Sequence, residues 1–146
     1  MFKKTLLGGL VLTLLSAPVL ARDTIADYQV SEALAHPKAK EVLGDNIQFF
    51  FGKQAHGKVE KTLGESRTNQ KTNAFAKSDK EACQWVFLSA MKALKNQAEA
   101  NGANAVINIR SNYRNNLTSS DSTFKCGAGA IIAGVALVGD LAVIKK

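Results

Sequence analysis

The sequence predicts an α+β fold: an antiparallel sheet packed on one long helix, in the order β-β-α-β-β, preceded by a short N-terminal helical segment. Three observations carry this. A capped amphipathic stretch runs from Ser78 to Asn101. Short apolar or alternating runs bounded by turn residues lie on both sides of it. The chain has 146 residues, and removing the first 21 as a leader leaves 125, the size of one compact domain. Hydrophobic residues at 46% and charged residues at 21% exclude wholesale disorder, collagen and coiled coil.

The start of the chain has the layout of a secretory signal peptide. Lys3 and Lys4 precede an apolar run over 6–15, and a small-residue site ends at Val19-Leu20-Ala21. Cleavage is expected between Ala21 and Arg22. A bilayer span needs about 20 apolar residues, so the run is too short to anchor the protein. No cysteine adjoins the site, so lipid anchoring is not available. The mature protein is therefore expected to be soluble and periplasmic, without a transmembrane segment or lipidation. The formal charge of +7 loses Lys3 and Lys4 with the leader. The organisation read from the sequence is 1–21 leader, 22–45 an extended and helical segment, and 46–146 the α+β domain.

Residues 22–30 read as extended. Ser31 can cap one turn of helix, Pro37 can open a second, and Gly44 ends it. The run 46–52 (NIQFFFG) is a short, buried aromatic strand. Residues 53–58 make a turn around Gly57, 59–68 read as a polar strand, and 69–77 as a loop. Ser78-Asp-Lys-Glu81 has the pattern of a capping box, and Asn101-Gly102 supplies the helix stop. Along the helix, Ala82, Cys83, Val86, Phe87, Ala90, Ala93, Leu94 and Ala98 form one broad apolar face. Glu81, Gln84, Lys92, Lys95 and Glu99 fall opposite.

Trp85 and Leu88 break this pattern from the polar side, where they are neighbours. Either the N-terminal segment folds over them or another subunit does. After Gly102, 104–113 reads as a strand with Ala105, Ile107, Ile109 and Tyr113 in register, and 114–122 as a polar hairpin loop. Residues 123–138 are apolar on both alternating faces beyond Gly127. Gly139-Asp140 reads as a turn before a last short strand, 141–144. Spanning a bilayer with 127–144 would bury Asp140 in lipid, so closely packed strands are the better reading.

Cys83 and Cys126 are the chain's two cysteines. In an oxidising compartment an even pair is most simply a disulfide. Two alternatives remain: a reactive thiol at Cys83, close to a helix N-terminus, or a zinc site that would need both thiols and two distant histidines. The helix over 79–100 rises about 30 Å and the following strand returns a similar distance. Both sulfurs therefore reach the same end of the domain.

Catalytic constellations are missing. There is no G-x-S-x-G elbow, no H-E-x-x-H and no Walker A loop, since Gly52-Lys53 is followed by Gln54. His36 and His56 lack partners at motif spacing and read as surface residues. The basic excess marks Lys58, Lys61, Arg67, Lys71, Arg110 and Arg114 as contacts for an anionic envelope polymer, against the plainer reading of a solvated face. Nucleic acid is not an expected partner of an exported protein.

The helix followed by Gly102-Ala-Asn-Ala-Val106, a strand, a hairpin and a glycine- and alanine-rich closing strand resembles the YbjQ-like family, described as heavy-metal-binding. A similar arrangement occurs in the periplasmic domain of the outer-membrane lipoprotein that senses stress for the Rcs phosphorelay, and both of these likenesses are more distant than the next. Segments such as Arg67-Thr-Asn-Gln-Lys-Thr-Asn-Ala-Phe75 and Glu81-Ala-Cys-Gln-Trp85 look like a group of small exported proteins often labelled "excinuclease ATPase subunit". The resemblance implies a small α+β fold, assembled as a ring in YbjQ-like domains, and a metal-binding or stress-sensing role. It carries over no metal ligands, and the label's nucleotide chemistry lacks the residues it needs. The residues point instead to a non-catalytic envelope protein that binds a partner or self-assembles, with no cofactor. Thiol redox chemistry at Cys83 is the remaining enzymatic alternative.

Overall fold

The computed structural model describes residues 8, 9, 12 and 22–146, so the expected cleavage bond lies outside the described residues, as does most of the leader. The elements in order are β1 (Thr24–Gln29), α1 (Val30–Leu34), α2 (Ala39–Leu43), β2 (Gln48–Phe51), β3 (Val59–Asn73), α3 (Asp79–Ala100), β4 (Ala105–Tyr113), β5 (Asn116–Thr118), β6 (Thr123–Ala128) and β7 (Ile132–Ile144). The fold is α+β, with one curled seven-stranded sheet and few helices. The sheet is mixed, because β2 lies parallel to β4. The order β-β-α-β-β is too simple: four strands follow α3, and β1 joins the same sheet beside β6.

The spine of the sheet is β7. One of its edges carries β3 along its length, from Val59 opposite Ile144 to Asn73 opposite Ile132. The other edge is shared: β4 pairs with the C-terminal half and β6 with Ala133 and Gly134. That sharing curls the sheet. It also corrects two expectations. Residues 69–73 are strand, not loop, because β7 offers them hydrogen-bonding partners. Gly139-Asp140 does not turn but lies mid-strand. Gly139 is there for packing: a Cβ would run into Val106, with Ile109 and Leu94 close behind.

Helix α3 lies on one face of the sheet. Ser78 caps it by accepting a hydrogen bond from the Glu81 backbone N–H at 3.1 Å, the serine half of the expected box. Ala82, Cys83, Val86, Phe87, Ala90, Leu94 and Ala98 are buried as the spacing predicted, and Met91 and Leu88 join them. Phe87 stacks on Phe124 of β6 at 4.2 Å between centroids, and Phe51 of β2 packs on Phe87 at 5.9 Å. Burying each such side chain contributes about 1.5–3 kcal/mol.

The N-terminal helices α1 and α2 pack on α3 itself, not on the open face of the sheet. Leu88 is 1% exposed and belongs to the same core cluster as Ala33, Ala39 and Leu43, so the structure removes it from the expected interface. Ser31 does not cap α1: the cap position is Gln29, and Ser31 lies inside the helix. The expected stop at Gly44 is present, with φ of 60°.

Candidate functional site

The face of the sheet turned away from α3 holds most of the charged residues the sequence singled out. Directly opposed residues share a face, so Val138 brings Arg67 of β3 and Arg110 of β4 to one side, together with Asp140 and its partner Glu65. Two irregularities frame this cluster. Gly64 in β3 has φ of 96°, and Asn108 in β4 has φ of 51°, each beside a break in register with β7. The bulge at Asn108 places Ile107 and Ile109 on opposite faces, so the register expected for Ala105, Ile107 and Ile109 does not hold: Ile109 enters the main core while Ile107 packs with Ala105, Ala142 and Ile144.

The cluster is an ion network. Arg110 reaches Glu65 at 3.1 Å and Asp140 at 3.6 Å, Arg67 reaches the other Glu65 oxygen at 2.9 Å, and Asn108 donates to Asp140 at 3.2 Å. Arg110 is mostly buried, and among the described residues its Nε has no hydrogen-bond partner. Next to the network lies a groove of about 300 Å³ over Ala136, lined by Arg67, Asn69, Asn112, Arg114 and Asn115.

Beyond the groove, Tyr113 donates to the Asp23 carboxylate, 3.1 Å from each oxygen, and Arg114 also pairs with Asp23. Burial pushes the Tyr113 phenol above its ordinary value, and the bond to Asp23 pushes the same way. Lys71 lays its stem over Gly134. The structure thus gathers Arg67, Lys71, Arg110 and Arg114, but sets Glu65, Asp140 and Asp23 among them. Lys58 and Lys61 stand at the far end of β3, beside Lys145 and Val143, and belong to no common patch with the other four.

At the N-terminus of α3, Arg22 makes a two-armed bond to Asp79, at 2.8 and 3.0 Å, and donates to the Gly129 carbonyl at 3.0 Å. The Arg22 guanidinium holds the Asp79 carboxyl below the usual carboxylate range. One turn further, Cys83 is bonded to Cys126 of β6, with Cα atoms 5.9 Å apart and both residues fully buried. No free cysteine remains. Both sulfurs are buried in this bond, so Cys83 presents no thiolate to solvent in this structure.

Trp85 remains 41% exposed, with the His36 ring edge-on at 6.0 Å. His56 lies by a cavity of about 690 Å³ with Phe50, Asp45, Lys145 and Lys146, its Nδ1 bonded to the Gly57 carbonyl oxygen. Among the described residues, no group of three or more His, Cys, Asp or Glu side chains is placed to hold a metal ion, and no helix is long and apolar enough to cross a membrane.

Sequence reasoning missed the carboxylates Glu65, Asp140 and Asp23, and the exposed apolar residues Phe75, Ile131 and Ile132. Only the odd placement of Asp140 in an apolar run hinted at the network. No family model, curated protein or solved structure matches the chain.

Proposed function

We propose that this is an exported, non-catalytic binding protein of the cell envelope, with the polar sheet face around the groove over Ala136 as its binding surface. The observation that carries the reading is the Cys83–Cys126 bond, buried between α3 and β6. Such structural bonds persist in oxidising compartments and are rare in the cytosol. The groove supports binding because its side chains are donors and acceptors held by a rigid sheet, over a floor as small as Ala136. Four cations set against three carboxylates favour a polar partner over a strongly anionic one. This narrows the polyanion reading of Arg67, Lys71, Arg110 and Arg114.

The test is fractionation with thiol alkylation, followed by capture of partners from solubilised envelope. The expected result is a processed periplasmic form with no alkylatable thiol, and a partner lost in the Arg67→Gln/Arg114→Gln variant. An unprocessed cytosolic form with two free thiols would overturn the proposal. A second reading, assembly of several copies, is favoured by the exposed Trp85, and the ring implied by the YbjQ-like resemblance supports it. Sedimentation of wild type against Trp85→Ser separates the two.

A further inference from the structure

Away from the polar face, an apolar surface lies at the end of the sheet where β3 and β7 meet. Phe75 is 69% exposed, Ile131 65% and Ile132 54%. They come from the stretch after β3 and from the entry into β7, tied together because the Ala74 backbone N–H donates to the Ile131 carbonyl at 2.6 Å. Around them is a shallow hollow of about 440 Å³, shared with Lys71, Thr72 and Asn73. Single exposed apolar residues are ordinary, but three large ones on adjoining stretches form a patch that water covers at a cost.

The two cations beside this tip, Lys71 and Lys77, carry the same sign. Lys71 borders the hollow, and Lys77 reaches back to the Asn73 carbonyl at 3.2 Å. Neither lysine is in an ion pair among the described residues. The nearby carboxylates are neutralised, Asp79 by Arg22 and Asp23 by Arg114.

We propose that this apolar tip docks on an anionic lipid surface, with Phe75, Ile131 and Ile132 entering the boundary between headgroups and acyl chains while Lys71 and Lys77 meet anionic headgroups. Apolar side chains flanked by cations are the combination that interfacial binding requires, and neither part suffices alone. A polar protein partner would leave the three apolar side chains unmatched, and a second copy of the same tip would oppose lysine to lysine. The inference goes beyond the proposed partner binding and does not depend on it, because it is read on purified protein without regard to compartment.

The experiment is cosedimentation of the chain from Arg22 to Lys146, which contains every described strand and helix, with vesicles of phosphatidylglycerol and, separately, phosphatidylcholine. Binding to the anionic vesicles is expected, weakened by salt. It should fall about tenfold or more in Phe75→Ser/Ile131→Ser/Ile132→Ser, and also in Lys71→Gln/Lys77→Gln. The substituted residues are exposed, so an unchanged melting temperature shows that the variants are folded. Three outcomes would overturn the proposal: no vesicle binding, binding equal in wild type and the triple-serine variant, or a concentration-dependent dimer that the triple-serine variant abolishes while vesicles stay unbound.

Discussion

The Tyr113 side chain occupies the space that a Cβ on Gly127 would need. Gly127 of β6 and Gly134 of β7 are directly paired, and the phenol ring lies over both, 3.4 Å from where a Cβ on Gly134 would stand. From that seat Tyr113 bonds to Asp23, fastening the start of the described chain to the end of β4. Gly127 is thus required by close approach, not by backbone dihedral angle, whereas a Cβ on Gly134 would meet the ring at contact distance.

Gly127→Ala should therefore displace Tyr113 and break its bond to Asp23. A destabilisation of about 1–3 kcal/mol is expected, as for other overpacking changes. Urea unfolding measures it. In the Tyr113→Ala background only the Asp23 carboxylate, 2.6 Å from the added methyl, still has to shift, so the same substitution should cost markedly less, and the double-mutant cycle should show coupling of the pair.

The cystine closes a loop with a sequence separation of 43 residues, for which the chain-entropy model gives about 4 kcal/mol. Cys83→Ala/Cys126→Ala should lose about that much stability and melt at a clearly lower temperature. In wild type, a mild reductant should leave the bond intact until denaturant is added, because both sulfurs are buried. Alkylation with and without denaturant reads this.

Asp79 acts on the acid limb of the pH response and Tyr113 on the alkaline limb, where Tyr28, raised by burial, adds to it. Asp79 has a lowered pKa because Arg22 donates to it, so the stabilisation it provides is present above the ordinary carboxylate value and is lost as pH falls through the lowered one. Tyr113 has a raised pKa through burial and its bond to Asp23, so its contribution is full below the ordinary phenol value and is lost as pH rises through the raised one. Unfolding followed across pH should show a shallower acid limb in Asp79→Asn and a shallower alkaline limb in Tyr113→Phe.

Leu88 and Trp85 are three positions apart on α3 yet should behave oppositely. Leu88→Ala empties a space walled by α1 and α2 and should cost about 2–5 kcal/mol. Trp85→Ser should change thermal stability far less, and its effect should appear in self-association, measured by analytical ultracentrifugation.

Legibility followed how local each signal is. The Ser78 cap, the apolar stripe through Phe87 and Leu94, and the stop after Asn101 each depend on residues within a few positions, and α3 runs where they predicted. The cystine followed from two cysteines and the geometry of one helix and one returning strand. In the candidate site, the arginines and Lys71 were visible as a basic excess. Their neutralising partners were not, because Glu65 and Asp140 meet Arg110 only when β3, β7 and β4 are laid side by side.

Short-range patterns and composition suffice for the α+β class, the long helix with its ends, the sulfur pair and the expectation of export. The tertiary structure decided where strands continue and which faces they show. Residues 69–73 and Gly139-Asp140 carry turn and loop composition, yet they lie in strands because neighbouring chains satisfy their backbone groups. The bulge at Asn108 then sends Ile107 and Ile109 to opposite sides of the sheet, and α1 and α2 cover Leu88 while Trp85 stays partly in water. Hydrogen bonding and burial between segments distant in sequence outweigh the small local preferences of glycine, asparagine and threonine, so no window of neighbouring residues could have revealed these choices.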